Sequence, residues 1–374
     1  MKQSTPPALR HLEEALGDLK AAGLLRIRPP PVDDVARSFC SNDYLGLAAE
    51  PADVAAGGAG ASRLIVGERE EHRLLEADLA AWLRTETALV FTSGYAANLG
   101  AVSALARPGE LVVSDALNHA SMIDGARLAR ARVAVVPHLD LSAIDRALES
   151  RTEARAWIVT ESYFSMDADG PDLGALRAIA DQRGAALYVD EAHALGVFGP
   201  DGRGLCAEAG VVPDVLMGTL GKSLGASGAF VAGCEPLVSW LWNRARSFVF
   251  STGSSPVVAA TARRNLARSL AEPALREHLR ANVEDLRTGL ARLRLRPLGT
   301  GPIIPVVLGD ATRAMDAATA LRERGVHVQA VRPPTVPAGS SRLRLTVTAR
   351  HSSEDIARAL SAFEACLPWL RPSS

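Results

Sequence analysis

Residues 185–225 read AALYVDEAHALGVFGPDGRGLCAEAGVVPDVLMGTLGKSLG. Two apolar runs in this stretch, AALYV (185–189) and DVLMGTL (214–220), each lead into polar side chains that a buried strand has no use for. The first delivers Asp190, Glu191 and His193; the second delivers Thr219 and Lys222. Short β-prone runs bounded by glycine and polar residues are the pattern of strands in a parallel sheet covered on both faces. Open sheets of that kind bind ligands beyond the carboxyl ends of their strands. An acid, an imidazole, a hydroxyl and an amine are therefore expected in one crevice.

The amine is the most informative of these. The chain has three lysines, Lys2, Lys20 and Lys222, against 38 arginines. Where arginine has replaced lysine almost everywhere, the lysine that persists needs a property guanidinium lacks, an amine that loses its proton and forms a Schiff base. A phosphate-binding P-loop is rejected, because GKS here has Leu216 where that motif requires glycine.

Outward from this stretch the same alternation continues. Strands are predicted at ALVFTS (88–93), LVVSDA (111–116), ARVAVVPH (131–138), AWIVTESYF (156–164) and GAFVAG (228–233), with helices over 121–130 and 172–183. That spacing predicts a doubly wound α/β domain. Residues 8–25 have amphipathic helical spacing and end at Pro30-Pro31, and 57–67 form a flexible Gly/Ala-rich segment leading into a helix that reaches Leu83. Residues 256–294 read as one long connecting helix. Beyond Gly301, IIPVVLG, a helix over 312–324, VHVQAV, RLRLTV and a helix over 353–366 predict a small α+β domain. The expected organisation is an N-terminal arm (1–50), a large domain (51–290) and a small C-terminal domain (291–374).

The bulk numbers narrow the function classes. At 374 residues, 48% hydrophobic and 22% charged, the chain has ample material for a core. A net charge of −1 gives no reason to expect nucleic acid or an anionic membrane as partner. Cys40, Cys206, Cys234 and Cys366 are scattered without CxxC or histidine pairing, which argues against a metal site or a disulfide framework. No apolar run reaches 18 residues and no charged-then-apolar leader follows Met1, so a cytoplasmic protein is expected.

Four strand ends carry functional side chains: His119, Glu161 with Ser165, Asp190 with His193, and Thr219 with Lys222. In addition, Ser93-Gly94-Tyr95 stands at a strand-to-helix junction, where exposed amides and the helix dipole favour phosphate. An acid, a stacking ring, a phosphate nest and a Schiff-base amine are together what pyridoxal 5′-phosphate requires. A carboxylate such as Asp190 keeps its pyridine nitrogen protonated, and so keeps it an electron sink. A dinucleotide site would need GxGxxG after the first strand, and none stands there.

Along nearly its whole length the chain resembles the α-oxoamine synthases, a branch of the fold-type I pyridoxal-phosphate enzymes. The resemblance rests on NDYLGL (42–47), the GxSR segment (60–63), SGYAAN (93–98), NHAS (118–121), FSMDADG (164–170), VDEAHALGVFG (189–199), TLGKSLG (219–225) and RLRLTVTARH near the C-terminus. It implies an α/β fold with a large cofactor domain and a small α+β domain, a homodimer with shared sites, and decarboxylative joining of an amino acid to an acyl thioester. VRPPTVPAG (331–339) running into SSRLRLTVTA resembles the branch that uses L-alanine and a pimeloyl thioester, on coenzyme A or a carrier protein, in biotin biosynthesis. Sister activities use glycine or serine.

Position by position, the resemblance implies Lys222 as the Schiff-base lysine, Asp190 as the pyridinium partner and His119 as the stacking ring. His193, Ser165 and Glu161 would stand around the cofactor, with Ser93, Gly94, Tyr95 and Thr219 on its phosphate side and Ser251-Thr252 reaching that phosphate from the neighbouring subunit. Arg344 would hold the amino acid's carboxylate, a bidentate task that suits guanidinium; Arg26, Asn42 and Thr346 would contact substrate. The chain departs from the family pattern at three places. STGSSP (251–256) lacks the paired prolines usual there, Leu64 stands where some members have histidine, and Ala168 replaces a glycine on what is expected to be a surface turn.

Overall fold

A computed structural model of the chain describes residues 17–18, 20–22, 39, 44–45, 47 and 57–371. Two compact units divide at Ala281/Asn282. The larger holds a seven-stranded sheet in the order β1-β7-β6-β5-β4-β2-β3. Its strands are β1 (Thr87–Phe91), β2 (Leu111–Asp115), β3 (Arg132–Val136), β4 (Ala156–Glu161), β5 (Ala186–Asp190), β6 (Val215–Thr219) and β7 (Ala229–Gly233). The first six run one way; β7 lies antiparallel between β1 and β6. All six parallel strands therefore end at one edge.

The intervening helices are α1 (Glu70–Leu83), α2 (Gly94–Leu105), α3 (Ala120–Ala129), α4 (Leu141–Glu149), α5 (Leu173–Arg183), α6 (Gly204–Glu208), α7 (Glu235–Arg244), α8 (Arg246–Val249), α9 (Pro256–Ala271) and α10 (Ala274–Arg292). The two-residue period of the strands sorts the core. Leu89, Phe91, Val159, Tyr188 and Met217 pack on one face against Ala97, Ala101, Met122 and Leu241. Ala88, Val90, Leu216 and Phe230 pack on the other against α1 and α9, beside Val113, Ile158 and Leu187 against α4 and α5. Each fully buried aliphatic side chain is worth roughly 1.5–3 kcal/mol. Side-chain oxygens of Ser93, Asp140 and Asp172 start α2, α4 and α5 by accepting the N–H groups of Ala96, Ala143 and Ala175 at 3.1, 2.8 and 2.9 Å.

The smaller unit carries the antiparallel sheet β8-β10-β9, of β8 (Ile303–Gly309), β9 (Gln329–Val331) and β10 (Ser341–Thr346), with α11 (Ala311–Glu323), α12 (Ser353–Ala365) and α13 (Leu367–Leu370). Phe39 belongs to this unit: its N–H donates to the His327 carbonyl, its carbonyl accepts from Thr346 N–H, and its ring stacks on His351 at 4.3 Å. The predicted N-terminal helix over 8–25 lies mostly outside the described residues.

Four expectations change. The run 256–294 is two helices, because Pro273 lacks the N–H a continuous helix needs and forces Glu272 to φ −117°, ψ 71°. The strand predicted to reach residue 164 ends at Glu161, where the chain turns and Phe164 N–H donates to the Asp169 carbonyl at 2.7 Å. Ala168 is on no surface turn: it is fully buried, at φ 58°. The segment 57–67 is pinned rather than loose, since Arg63 is buried and paired with Glu68 and Glu76, each contact at 2.6 Å.

Candidate active site

The common strand edge collects the polar groups. Glu161 and Asp190 are register partners on β4 and β5, so both carboxyls stand side by side, almost fully buried. Asp190 is satisfied on both oxygens: Oδ1 accepts Ala192 N–H at 2.8 Å and Oδ2 accepts Asn98 Nδ2 at 2.7 Å. Glu161 Oε1 accepts His119 N–H at 2.8 Å. Burial, then the charge of Asp190, push the Glu161 carboxyl up to about 8, against the opposing pull of Lys222 and of that N–H. A carboxyl beside a carboxylate out of water keeps its proton because two adjacent anions repel.

His119 caps the N-terminus of α3, its Nδ1 accepting Ser121 N–H at 3.3 Å and lying 2.7 Å from Ser121 Oγ. Although the residue as a whole is exposed, its Nδ1 edge is turned into the protein. Burial lowers the ring's proton affinity and the Lys222 amine lowers it further, while Asp190 acts the other way. Lys222 therefore sits close enough to act electrostatically on both Glu161 and His119. It follows β6 in a turn where Gly225 N–H donates to its carbonyl at 2.9 Å. His193 is buried, with Nδ1 3.0 Å from the hydroxyl of Tyr44. Ser165 is half-buried in the turn after β4.

At the start of α2, Ser93 and Gly94 stand beside the end of β6. A Cβ on Gly94 would lie 3.4 Å from Met217 Cε and 3.9 Å from Thr219 Oγ1, so a glycine there leaves the helix N-terminus open next to that hydroxyl. Thr219 Oγ1 donates to the Gly228 carbonyl and accepts Gly221 N–H. Tyr95 is exposed; its hydroxyl bonds Asp124 and its ring meets His119 edge-on at 6.4 Å. Thr252 bridges to Ser62, next to Ser251. Lys222, Asp190, His119, Glu161, Ser93, Gly94, Tyr95 and Thr219 are thus gathered along one edge of the larger unit. Arg344 and Thr346 lie buried on β10 of the smaller unit. Arg26 and Asn42 fall outside the described residues.

Sequence reasoning missed three residues of this edge: Asn98, which touches Asp190; Ser121, which touches His119; and Tyr44. Asn98 sits five residues past Ser93, on the inward face of α2; it, Ser121 and Tyr44 each fall inside a family motif (SGYAAN, NHAS, NDYLGL), which was the signal that could have found them.

The model for the family described as aminotransferase class I and II matches residues 37–363. The chain belongs to that family. It is 46% identical to the 8-amino-7-oxononanoate synthase of Anaeromyxobacter sp. (strain K), over 98% of each chain. Among solved structures it superposes on Sphingomonas wittichii serine palmitoyltransferase with a TM-score of 0.88 at 31% identity, covering 97% of this chain and 98% of that one. The 8-amino-7-oxononanoate synthase of Francisella tularensis matches with a TM-score of 0.75 at 25% identity, over 90% and 99%. The chain is a fold-type I enzyme and its cofactor is pyridoxal 5′-phosphate, as in the family's solved relatives.

The residues present fit that group. A buried carboxylate with both oxygens fixed, a neutral imidazole, an amine within electrostatic reach of both, and a glycine-opened helix N-terminus beside a threonine hydroxyl are a donor set matched to a protonated pyridine ring, a carbonyl carbon and a phosphate. No helix among the described residues is long and apolar enough to cross a membrane.

Proposed function

We propose that the chain joins L-alanine to a pimeloyl thioester, losing carbon dioxide and releasing the free thiol, to give 8-amino-7-oxononanoate for biotin biosynthesis. The observation that carries this reading is the 46% identity, over 98% of both chains, to a relative of that name. When bound, the cofactor supplies a sink for the negative charge that develops at the amino acid's Cα. Asp190 holds the pyridine nitrogen protonated by charge pairing. His119 would stack on the ring, and His193 and Ser165 would contact its oxygen side, with Glu161 holding the His119 backbone N–H. Ser93, Gly94, Tyr95 and Thr219 bind the phosphate, joined by Ser251 and Thr252 of a second copy in a homodimer. Lys222 is the amine that holds the cofactor and moves the proton at Cα. Arg344 pairs with the amino acid's carboxylate, with Arg26, Asn42 and Thr346 contacting substrate. The proposed location is cytoplasmic.

A second reading has support of its own, because the serine palmitoyltransferase structure superposes more closely than the synthase from Francisella tularensis. The test is to supply the cofactor-loaded protein with pimeloyl thioester, on coenzyme A and on acyl carrier protein separately, and follow thiol release with L-alanine, glycine or L-serine. Release with alanine and not with the others is expected, and Lys222→Ala should abolish it. Release with serine or glycine alone overturns the alanine assignment while keeping the cofactor and Lys222. An unchanged rate in the Lys222→Ala protein overturns the role of that lysine.

A further inference from the structure

Asp190 and His119 are joined through the Asn98 amide and the Ser121 hydroxyl. A carboxylate can only accept, so the amide face of Asn98 that lies 2.7 Å from Asp190 Oδ2 is its NH2 group. The same nitrogen lies 3.0 Å from Ser121 Oγ, which uses its second hydrogen. Its oxygen is left to accept the Tyr188 hydroxyl at 2.7 Å. Asn98, Ser121 and Tyr188 are all buried to 1% exposure or less, so no water competes for these bonds.

Ser121 Oγ already accepts from Asn98, and its one hydrogen has His119 Nδ1 as partner at 2.7 Å. The Ser121 backbone N–H points at the same nitrogen from 3.3 Å. Two donors thus converge on Nδ1 at the N-terminus of α3, where the helix dipole further disfavours a proton.

We infer that Asn98 and Ser121 are positioning residues that fix His119 as a neutral imidazole carrying its proton on Nε2, and that the Asn98 amide couples this tautomer to the orientation of Asp190. The low proton affinity that burial gives the ring acts in the same direction. A neutral ring stacks on a protonated pyridine without the repulsion an imidazolium would bring. Its Nε2–H remains a donor facing away from α3. That chemical benefit rests on the proposed function; the tautomer does not.

The experiment is a 15N spectrum of the full chain labelled in histidine, recorded cofactor-free and cofactor-loaded, with His119 assigned by its loss in His119→Gln. The expected result is an unprotonated nitrogen at Nδ1 and a protonated one at Nε2, in both forms, with a preference of about tenfold or more. In Ser121→Ala, which removes the hydroxyl donor and strands one Asn98 hydrogen, the preference should fall several-fold, the backbone N–H of residue 121 remaining as a donor. Ser121→Ala should also weaken cofactor binding and lower kcat more than it raises KM. A proton on Nδ1 in the unaltered protein, or an unchanged preference in Ser121→Ala, overturns the inference. Should Ser121→Ala fail to fold, the spectrum of the unaltered protein still decides. Failure of the thiol-release assay would not touch this result, so the two readings fail separately.

Discussion

His138 should remain charged far above the ordinary range for histidine, and removing it should destabilise the protein in a pH-dependent way. The residue follows β3, half-buried, with Nδ1 2.9 Å from Asp115 Oδ1 and Nε2 3.3 Å from both carboxylate oxygens of Asp169, its ring edge-on to Phe164 at 4.5 Å. Burial opposes the charge, but the hydrogen bonds to Asp115 and then Asp169 overcome it and push the imidazole from 6.5 up to about 10. At 1.36 kcal/mol per pKa unit, that step has an unscreened limit of ~5 kcal/mol. The side chain of Asp169 is 36% exposed, and water there screens the pair, which brings the contribution down to about 2 kcal/mol.

The sign follows from linkage. The folded protein holds this proton more tightly than the unfolded chain, so the stabilisation is complete below about 6.5 and is lost as pH rises through about 10. His138→Gln keeps hydrogen-bonding capacity and removes the charge. Its apparent melting midpoint should fall by roughly 2–4 °C at pH 6.5 and converge on that of the unaltered protein above pH 10.5. Melting difference against pH is the assay, with a histidine NMR titration as companion. A deficit that stays constant from pH 6.5 to 10.5, or a His138 resonance titrating near 6.5, would refute the reasoning.

Two further substitutions test how the segments around the site are held. Arg63→Ala leaves Glu68 and Glu76 facing each other with 20% and 15% side-chain exposure and also removes a guanidinium that lies 5.2 Å from the Trp242 ring centroid; a loss of about 3–5 kcal/mol is expected in urea unfolding, not rescued by Arg63→Lys, and melting within a degree of the unaltered protein would contradict it. Gly204→Ala places a Cβ 1.6 Å from Glu191 Oε2 at φ 90°, in a site where Glu191 is fully buried and accepts Cys206 N–H. It should cost several degrees of melting temperature alone and much less in a Glu191→Ala background, and strict additivity of the two changes would rule out the clash.

The order of chemical groups was legible because it is local. Apolar runs ending in polar residues at Glu161, Asp190 and Thr219 announce strand ends within windows of about ten residues, and every parallel strand of a doubly wound sheet ends at the same edge. Lys222 stood out through composition alone, and the cofactor followed from the residue types gathered there. Helix boundaries were read well where a cap marked them, as at Asp172 and Gly184, and badly where one proline was passed over at Pro273.

What the tertiary structure decided is which neighbours those groups have. Nothing near Asn98 in sequence says that it meets Asp190, 92 positions away, because that contact depends on how α2 packs on the face of the sheet. Arg63 looked like part of a loose glycine-rich segment until Glu76, one helix later, turned out to bind it. Ala168 looked exposed, yet the turn after β4 buries it completely. Periodicity along the chain fixes which face of an element is buried, but a buried polar contact is settled only by what the opposite surface offers. That surface is set by strand order and helix packing, which no local stretch of sequence carries.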